Sequence, residues 1–184
     1  MSQFILFEGL DRTGKSSIAK RIAHEMNAVL LHSPPELLMP FRSHFDALDN
    51  ETNFSYYLTA NHVLNCQIEE LLKTSSVVCD RYFHTTIAYH SVKLKRNLDS
   101  YLNGMTVTPH RIYYLKGDVE VLEQRAKNSG KDRFHGPDLW REVMRNYDRL
   151  FENLPNVLVI DTTDKTEEEV YKIVSEDIEK RTKN

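Results

Sequence analysis

The chain has 184 residues, 40% of them hydrophobic, and its 24 lysines and arginines against 27 aspartates and glutamates give a formal charge of −3. That length predicts a single domain, residues 1–184, which buries about 70% of the surface that the unfolded chain exposes. The charge lacks the cationic excess typical of proteins that bind nucleic acid polymers or membrane surfaces, and no apolar run reaches the roughly 20 residues that span a bilayer.

Short apolar runs of strand length alternate along the chain with longer stretches of helical periodicity. The runs cover residues 4–7, 29–31, 77–79, 112–115 and 157–160. Strands that are apolar on both faces and joined by helices predict a three-layer α/β/α fold with about five parallel strands. Because active sites in such folds lie at the carboxyl ends of the strands, we expect the functional residues directly after these runs.

Apolar residues at helical spacing fill the stretches between the predicted strands. Three stripes of this kind consist of Ile18, Ile22 and Met26; of Leu64, Ile68, Leu71 and Leu72; and of Leu139, Val143, Tyr147, Leu150 and Phe151. The last helix is predicted to begin at Thr166, since Glu169 three residues later completes a capping box. Residues 33–53 give no regular element, because three prolines interrupt them.

The N-terminal residues and the two cysteines indicate the cell compartment. The apolar run 4–7 has no basic flank and is too short for a secretory signal, so we expect a cytoplasmic protein. Cys66 and Cys79 have neither metal-ligand spacing nor the pattern of a disulfide framework. Both thiols are expected to be reduced and buried.

A phosphate-binding sequence follows the first predicted strand. Residues 9–17 read GLDRTGKSS, which matches the P-loop pattern and leads straight into a predicted helix. In such a loop the backbone N–H groups face a phosphate chain, Lys15 reaches its terminal phosphates and the hydroxyl of Ser16 reaches Mg²⁺. The predicted nucleotide contacts in the loop are Gly9, Arg12, Thr13, Gly14, Lys15, Ser16 and Ser17.

Two charged residues inside this loop favour phosphoryl transfer to a small acceptor. The Asn-Lys-x-Asp motif typical of guanine-specific switches does not occur in the sequence. A carboxylate beside a triphosphate is electrostatically unfavourable unless Asp11 turns towards an acceptor, and Arg12 is placed to stabilise charge on the transferred group. The alternative is that Asp11 only binds loop amides.

Four segments together resemble one known family. They are residues 7–16 (FEGLDRTGKS), residues 79–82 (CDRY), the pair Ala88-Tyr89, and a basic segment after the fourth predicted strand. Over nearly the whole chain, these segments and their spacing resemble the thymidylate kinase family of P-loop nucleoside monophosphate kinases. The resemblance implies ATP and Mg²⁺ as cofactors, a small-molecule nucleotide acceptor and a homodimer.

The resemblance also implies roles for four residues at and after the third predicted strand. Asp80 is expected to hold Mg²⁺ or its water, and Arg81 to grip the acceptor phosphate bidentately. Thr85 falls where the family has a small polar residue near the base, and Tyr89 matches a tyrosine beneath the sugar. The structural alternatives are an Asp80–Arg81 ion pair and a core tyrosine.

Basic residues flank a polar loop between two predicted helices. They are Arg125, Lys127, Lys131 and Arg133. The resemblance implies a LID-like loop around residues 127–137 that closes over ATP, with Arg125 near the nucleotide and Arg133 as a catalytic contact to phosphate. Residues 161–165 are expected to surround the adenine.

After the second strand, the chain departs from the family pattern on the acceptor side. The family has an arginine there that holds the monophosphate, whereas this chain has Glu36 near the expected place. A carboxylate would repel the phosphate, and Arg42 is the candidate replacement for the missing cation.

A second departure lies on the predicted third helix. Leu58 and His62 stand where the family has a base-stacking phenylalanine and a base-reading arginine, so they are the candidate base contacts. His62 is equally compatible with an ordinary surface or core position. Tyr56 or Tyr57 is placed to supply a stacking face or to belong to the core.

The sequence leaves three functions open. In the first, the protein transfers the γ-phosphoryl group of ATP to a (deoxy)nucleoside monophosphate and forms the diphosphate. In the second, the acceptor is a deoxynucleoside or a modified nucleotide, with Glu36 or Asp11 as the base. In the third, the chain is a non-catalytic nucleotide-binding regulatory module.

Overall fold

A computed structural model of the protein describes residues 2–128 and 136–182. Its central sheet consists of β1 (Phe4–Glu8), β2 (Val29–His32), β3 (Val77–Asp80), β4 (Arg111–Lys116) and β5 (Val157–Asp161). The strand order is β2-β3-β1-β4-β5, and every neighbouring pair is parallel. The predicted sheet of about five parallel strands is thus confirmed.

Helices cover both faces of this sheet. The described ranges contain α1 (Lys15–Glu25), α2 (Arg42–Asp46), α3 (Asn50–Leu71), α4 (Phe83–Leu94), α5 (Val119–Asn128), α6 (Pro137–Phe151) and α7 (Glu167–Thr182). Apolar residues of α1 and α7 pack on one face, and those of α3, α4, α5 and α6 pack on the other. This arrangement confirms the predicted three-layer α/β/α fold.

The central position of β1 in the sheet explains why its first four residues are apolar. Because side chains alternate along a strand, Phe4 and Leu6 enter the α3/α4/α6 side of the core, whereas Ile5 and Phe7 enter the α1/α7 side. All four side chains are buried. The carboxyl end of β1 therefore lies at the middle of the sheet edge, between the ends of β3 and β4.

The predicted cap of the last helix is present. The backbone N–H of Thr166 donates to Glu169 Oε2 over 2.8 Å, and the N–H of Glu169 donates to Thr166 Oγ1 over 3.3 Å. These two bonds form the capping box expected from the sequence and fix where α7 begins.

Residues 33–53 contain short helices that the sequence did not reveal. A 3₁₀ helix, Met39–Phe41, leads into α2, and Asp49 then caps α3 by accepting from the N–H groups of Glu51 and Thr52. A second 3₁₀ helix covers Asp99–Gly104. None of the described helices is long and apolar enough to cross a membrane.

One expectation about the cysteines was wrong. Cys79 on β3 is buried, but Cys66 on α3 is exposed. The reason is its helical position: Leu64, Asn65 and Ile68 form the buried face of that part of α3, and Cys66 points away from it.

Candidate active site

The P-loop wraps over the carboxyl end of β1. Gly9 has φ +135°, and a Cβ at that position would lie 2.0 Å from the carbonyl oxygen of Leu115 at the end of β4. Gly14, with φ +87°, precedes the first residue of α1 in the left-handed conformation. Glycine suits both positions because neither conformation is favourable for a residue with a side chain, and Gly9 also needs the space.

Lys15 is folded into this loop. Its side chain is only 4% exposed, and Nζ donates hydrogen bonds to the carbonyl oxygen of Leu10 and, over 3.4 Å, to Thr13 Oγ1. Burial lowers the pKa of Lys15 to about 8. The group therefore still carries its proton at neutral pH and supplies a cation to the loop.

Ser16 and Asp80 meet at the edge between β1 and β3. Ser16 Oγ donates to Asp80 Oδ2, and Asp80 Oδ1 is buried without a hydrogen-bond partner among the described residues. The same residues contain no cluster of three histidine, cysteine or carboxylate side chains that could hold a metal. Mg²⁺ commonly takes only one or two protein ligands and fills its shell with water and substrate phosphates, so this hydroxyl and carboxylate fit that ion.

Arg81 links the start of α4 to the P-loop. Its backbone is left-handed, with φ 74°, and Nη2 donates to Asp11 Oδ1 over 2.7 Å. Nη1 donates to Thr85 Oγ1 over 3.2 Å. Arg81 therefore forms its ion pair with Asp11 of the P-loop rather than with Asp80. Asp11 accepts a hydrogen bond from the Arg81 side chain in addition to forming part of the loop.

A buried carboxylate under the site was missed by sequence reasoning. Glu8 is fully buried and accepts from the N–H of Tyr82 over 2.9 Å, from Thr85 Oγ1, and from the hydroxyl of Tyr147 over 3.2 Å. Burial raises the pKa of Glu8 to about 7. The one sequence feature that could have identified it is a glutamate ending an otherwise apolar strand, FILFE.

A second part of the site is a cavity beside the P-loop, here named the P-loop cavity. It has a volume of about 240 Å³ and is lined by Arg12, Thr13, Gly14, Ile18, Arg125, Thr162, Lys165, Thr166, Glu167 and Val170. Arg125 Nη2 donates to the carbonyl oxygens of Thr162 and Thr163, over 2.8 and 3.0 Å. The cavity brings the loop, α5 and the segment after β5 together.

Comparison with known proteins decides the family. The family model for thymidylate kinase matches residues 7–173. A probable thymidylate kinase from Methanocaldococcus jannaschii is 33% identical over 177 residues, which cover 92% of this chain and 92% of that protein. The chain belongs to the thymidylate kinase family. A probable thymidylate kinase from Methanococcus aeolicus is also similar, with 28% identity over 94% of this chain and 93% of the relative.

Solved thymidylate kinases share the fold. The Candida albicans enzyme superposes with a TM-score of 0.81 at 23% identity, covering 98% of this chain and 92% of its own. The Ehrlichia chaffeensis enzyme gives a TM-score of 0.75 at 20% identity, covering 97% and 98%. These TM-scores show that the chain has the P-loop kinase fold that the sequence predicts.

Tyr89 lies beside Arg81 in this thymidylate kinase fold. The centre of its ring is 5.8 Å from the guanidinium carbon of Arg81, and the side chain is 8% exposed. Burial raises the pKa of Tyr89. The ring also belongs to the apolar core, which is the structural alternative considered for it. Its contact with a sugar stays a prediction.

The two candidate base contacts on α3 have different surroundings. Leu58 is half-buried against the apolar core. His62 is exposed, with its ring edge-on to Phe83 at 5.3 Å and close to Gly104. Between them, the fully buried Asn61 donates to Thr86 Oγ1 over 2.7 Å. Roles of Leu58 and His62 in binding the base stay predictions.

Neighbouring side chains contact the residues that could replace the family's phosphate-binding arginine and base-stacking phenylalanine. Arg42 Nε donates to the hydroxyl of Tyr57 over 3.1 Å, and that hydroxyl donates to Asp46 over 2.8 Å. Tyr56 is 5% exposed and stacks on Phe45, with ring centres 4.7 Å apart. Tyr56 is thus a core residue.

Part of the predicted LID-like loop falls outside the described ranges. Lys131 and Arg133 lie between residues 128 and 136, so their predicted roles are not described by the structure. Lys127 lies at the end of α5 and pairs with Glu123 over 2.9 Å. Ser17, the last predicted P-loop contact, is exposed in the first turn of α1.

Proposed function

We propose that the protein transfers the γ-phosphoryl group of ATP to dTMP and forms dTDP and ADP. The observation that carries this proposal is the 2.7 Å bond from Arg81 to Asp11, since it holds directly beside the P-loop the guanidinium that would bind the acceptor phosphate. Family membership supports a nucleoside monophosphate as the acceptor. The names of the relatives support dTMP in particular.

The donor side of the proposal rests on the P-loop and its cavity. Backbone N–H groups at the start of α1 would bind the phosphate chain, and Lys15 would supply a positive charge to it. Arg125 fixes the backbone of Thr162 and Thr163, and that segment would surround the adenine. The P-loop cavity, at about 240 Å³, is of a size that suits part of a nucleotide.

Ser16 and Asp80 would hold Mg²⁺ together with the phosphates. When bound, the ion would neutralise charge on the β- and γ-phosphates of ATP. Asp80 Oδ1, which is buried and has no partner in the described part of the chain, supports this assignment, because a cation or its water would satisfy that atom.

The chain's own residues would mainly position the reactants and balance charge. An oxygen of the dTMP phosphate attacks the γ-phosphorus, the bond from that phosphorus to the β–γ bridging oxygen breaks, and ADP leaves with the electron pair. Arg81 would hold the acceptor phosphate in line, with Asp11 orienting the guanidinium. Arg12, and Arg133 from the predicted LID-like loop, would stabilise charge on the migrating group.

A panel of acceptors tests the proposal. Formation of ADP from ATP and Mg²⁺ is measured with dTMP, with the other common nucleoside monophosphates and with thymidine. We expect turnover to be highest with dTMP and absent with thymidine. Turnover with thymidine alone would identify a nucleoside kinase, and no turnover with any acceptor despite ATP binding would identify a non-catalytic module.

A matched pair of variants on one helix links turnover to the P-loop. Lys15→Met should lower kcat by about 10² or more, the scale of a lost transition-state cation. Lys20→Met, at an exposed position of the same helix, should leave kcat unchanged. A loss of less than tenfold in Lys15→Met would mean that the role of Lys15 is misassigned.

A further inference from the structure

A second polar cavity, here named the α4/α6 cavity, lies where the end of α4 faces α6. Its volume is about 520 Å³, and it is lined by Ser91, Val92, Lys95, Arg96, Asn97, Glu142, Arg145, Asn146 and Arg149. None of these residues lines the P-loop cavity. Arg81 precedes the first turn of α4, whereas this cavity lies at its last turn, about 18 Å away along the 12-residue helix.

Positive charge dominates the lining of this cavity. Of the described residues, four cationic side chains and one carboxylate, Glu142, line it. Arg96 and Arg149 are partly neutralised, because they pair with Glu51 and Asp99 outside the lining. Lys95 and Arg145 form no ion pair within residues 2–128 and 136–182.

A buried hydroxyl in the same cavity lacks a partner. Ser91 is 8% exposed, and its Oγ is buried without a hydrogen-bond partner among the described residues. Beside it, Asn146 Nδ2 donates to the carbonyl oxygen of Ala88 over 3.0 Å and fixes the amide at the cavity wall.

We propose that the α4/α6 cavity binds a small phosphate-bearing anion. Arginine offers a planar fork of donors that matches two phosphate oxygens, which is the role assigned to Arg145. Lys95 adds a second charge at the same cavity. The volume is that of a small-molecule site rather than a macromolecular interface. The proposal is independent of the acceptor used in the active site.

Inorganic tripolyphosphate is a suitable probe for calorimetric titration of the full chain. Saturating ADP first occupies the P-loop, so the remaining heat reports other sites. We expect one equivalent of tripolyphosphate to bind under these conditions. Binding should weaken by about tenfold or more in Arg145→Ala and in Lys95→Ala, because each loses a charge-assisted contact.

Two further variants make the test specific. Glu142→Gln should tighten binding, since it removes the one carboxylate in the lining, and this gain cannot result from damage to the fold. Lys172→Ala, at an exposed position of α7, is the matched control and should bind like the wild type. The proposal is overturned if ADP abolishes all binding of tripolyphosphate, or if Lys172→Ala weakens it as much as Arg145→Ala does.

Discussion

Arg81 Nη2 lies 2.7 Å from Asp11 Oδ1, so a residue of the P-loop holds the guanidinium that precedes α4. The two residues are 70 positions apart in the sequence. Their contact joins the phosphate-binding loop after β1 to the segment after β3, which are neighbouring strands of the sheet. Such a bond fixes the orientation of a long side chain before a ligand binds, which lowers the entropy lost on binding.

Replacement of Arg81 should affect the acceptor more than the donor. Arg81→Ala is expected to lower kcat/KM for dTMP by about 10² or more and to change the affinity for ATP little. Arg81→Lys should restore only part of the activity, because an ammonium group lacks the planar fork that binds two phosphate oxygens. Steady-state kinetics with each substrate varied in turn measures both effects.

Asp11→Asn separates positioning from charge at the same contact. The amide keeps an oxygen that accepts from Arg81 but loses the negative charge, so a smaller loss in kcat than in Arg81→Ala is expected.

The control for Arg81→Ala is Arg21→Ala, which removes an arginine from the surface of α1. Equal losses for dTMP and ATP in Arg81→Ala would contradict the assignment to the acceptor.

Asp80 should determine the Mg²⁺ requirement. Asp80→Asn is expected to raise the Mg²⁺ concentration for half-maximal activity by about tenfold or more, since residues that ligate or support a metal change its affinity on that scale. Titration of activity with Mg²⁺ measures this value. Asp138→Asn, at an exposed position of α6, should leave it unchanged. An unchanged Mg²⁺ requirement in Asp80→Asn would place the metal elsewhere.

Local patterns were sufficient to predict most of the fold. The strands are apolar on both faces, and the P-loop has a fixed spacing, so both could be identified in the sequence. The short helices between residues 33 and 53 could not be identified, because they are too short to show a helical repeat and prolines interrupt the segment. Packing of Phe45 on Tyr56, a contact that the sequence does not reveal, stabilises them. Glu8 was missed for another reason: its partners on α4 and α6 are distant in the sequence, and only the fold brings them together.

Protonation of Glu8 should appear in the pH dependence of stability. Its pKa is about 7 in the folded protein and 4.5 as the ordinary value, so between these values the folded state binds a proton that the unfolded state does not. The contribution of Glu8 to the free energy of unfolding is therefore full below about pH 4.5 and is lost as the pH rises to about 7, by up to about 3 kcal/mol. Glu8→Gln, which keeps the shape and stays neutral, should lack this decrease.

The difference between variant and wild type is the quantity to measure, by urea unfolding at several pH values. His84, whose pKa burial lowers to about 4, contributes a slope of opposite sign between pH 4 and 6.5 in both proteins. That slope cancels in the difference. The free energy of unfolding of Glu8→Gln minus that of the wild type should rise from pH 4.5 to 7 and then level off. A difference that is constant over this range would show that Glu8 ionises normally.

The two P-loop glycines should respond differently to the same substitution. In Gly9→Ala the new Cβ would lie 2.0 Å from the carbonyl oxygen of Leu115, a backbone atom that cannot turn aside, and φ +135° adds strain. We expect the free energy of unfolding to fall by about 3 kcal/mol or more. In Gly14→Ala no atom of residues 2–128 and 136–182 lies within 4 Å of the new Cβ, so the left-handed φ of +87° alone costs about 1–2 kcal/mol. Urea unfolding of both variants measures the contrast, and equal losses would mean that the close approach of the loop to β4 contributes nothing to stability.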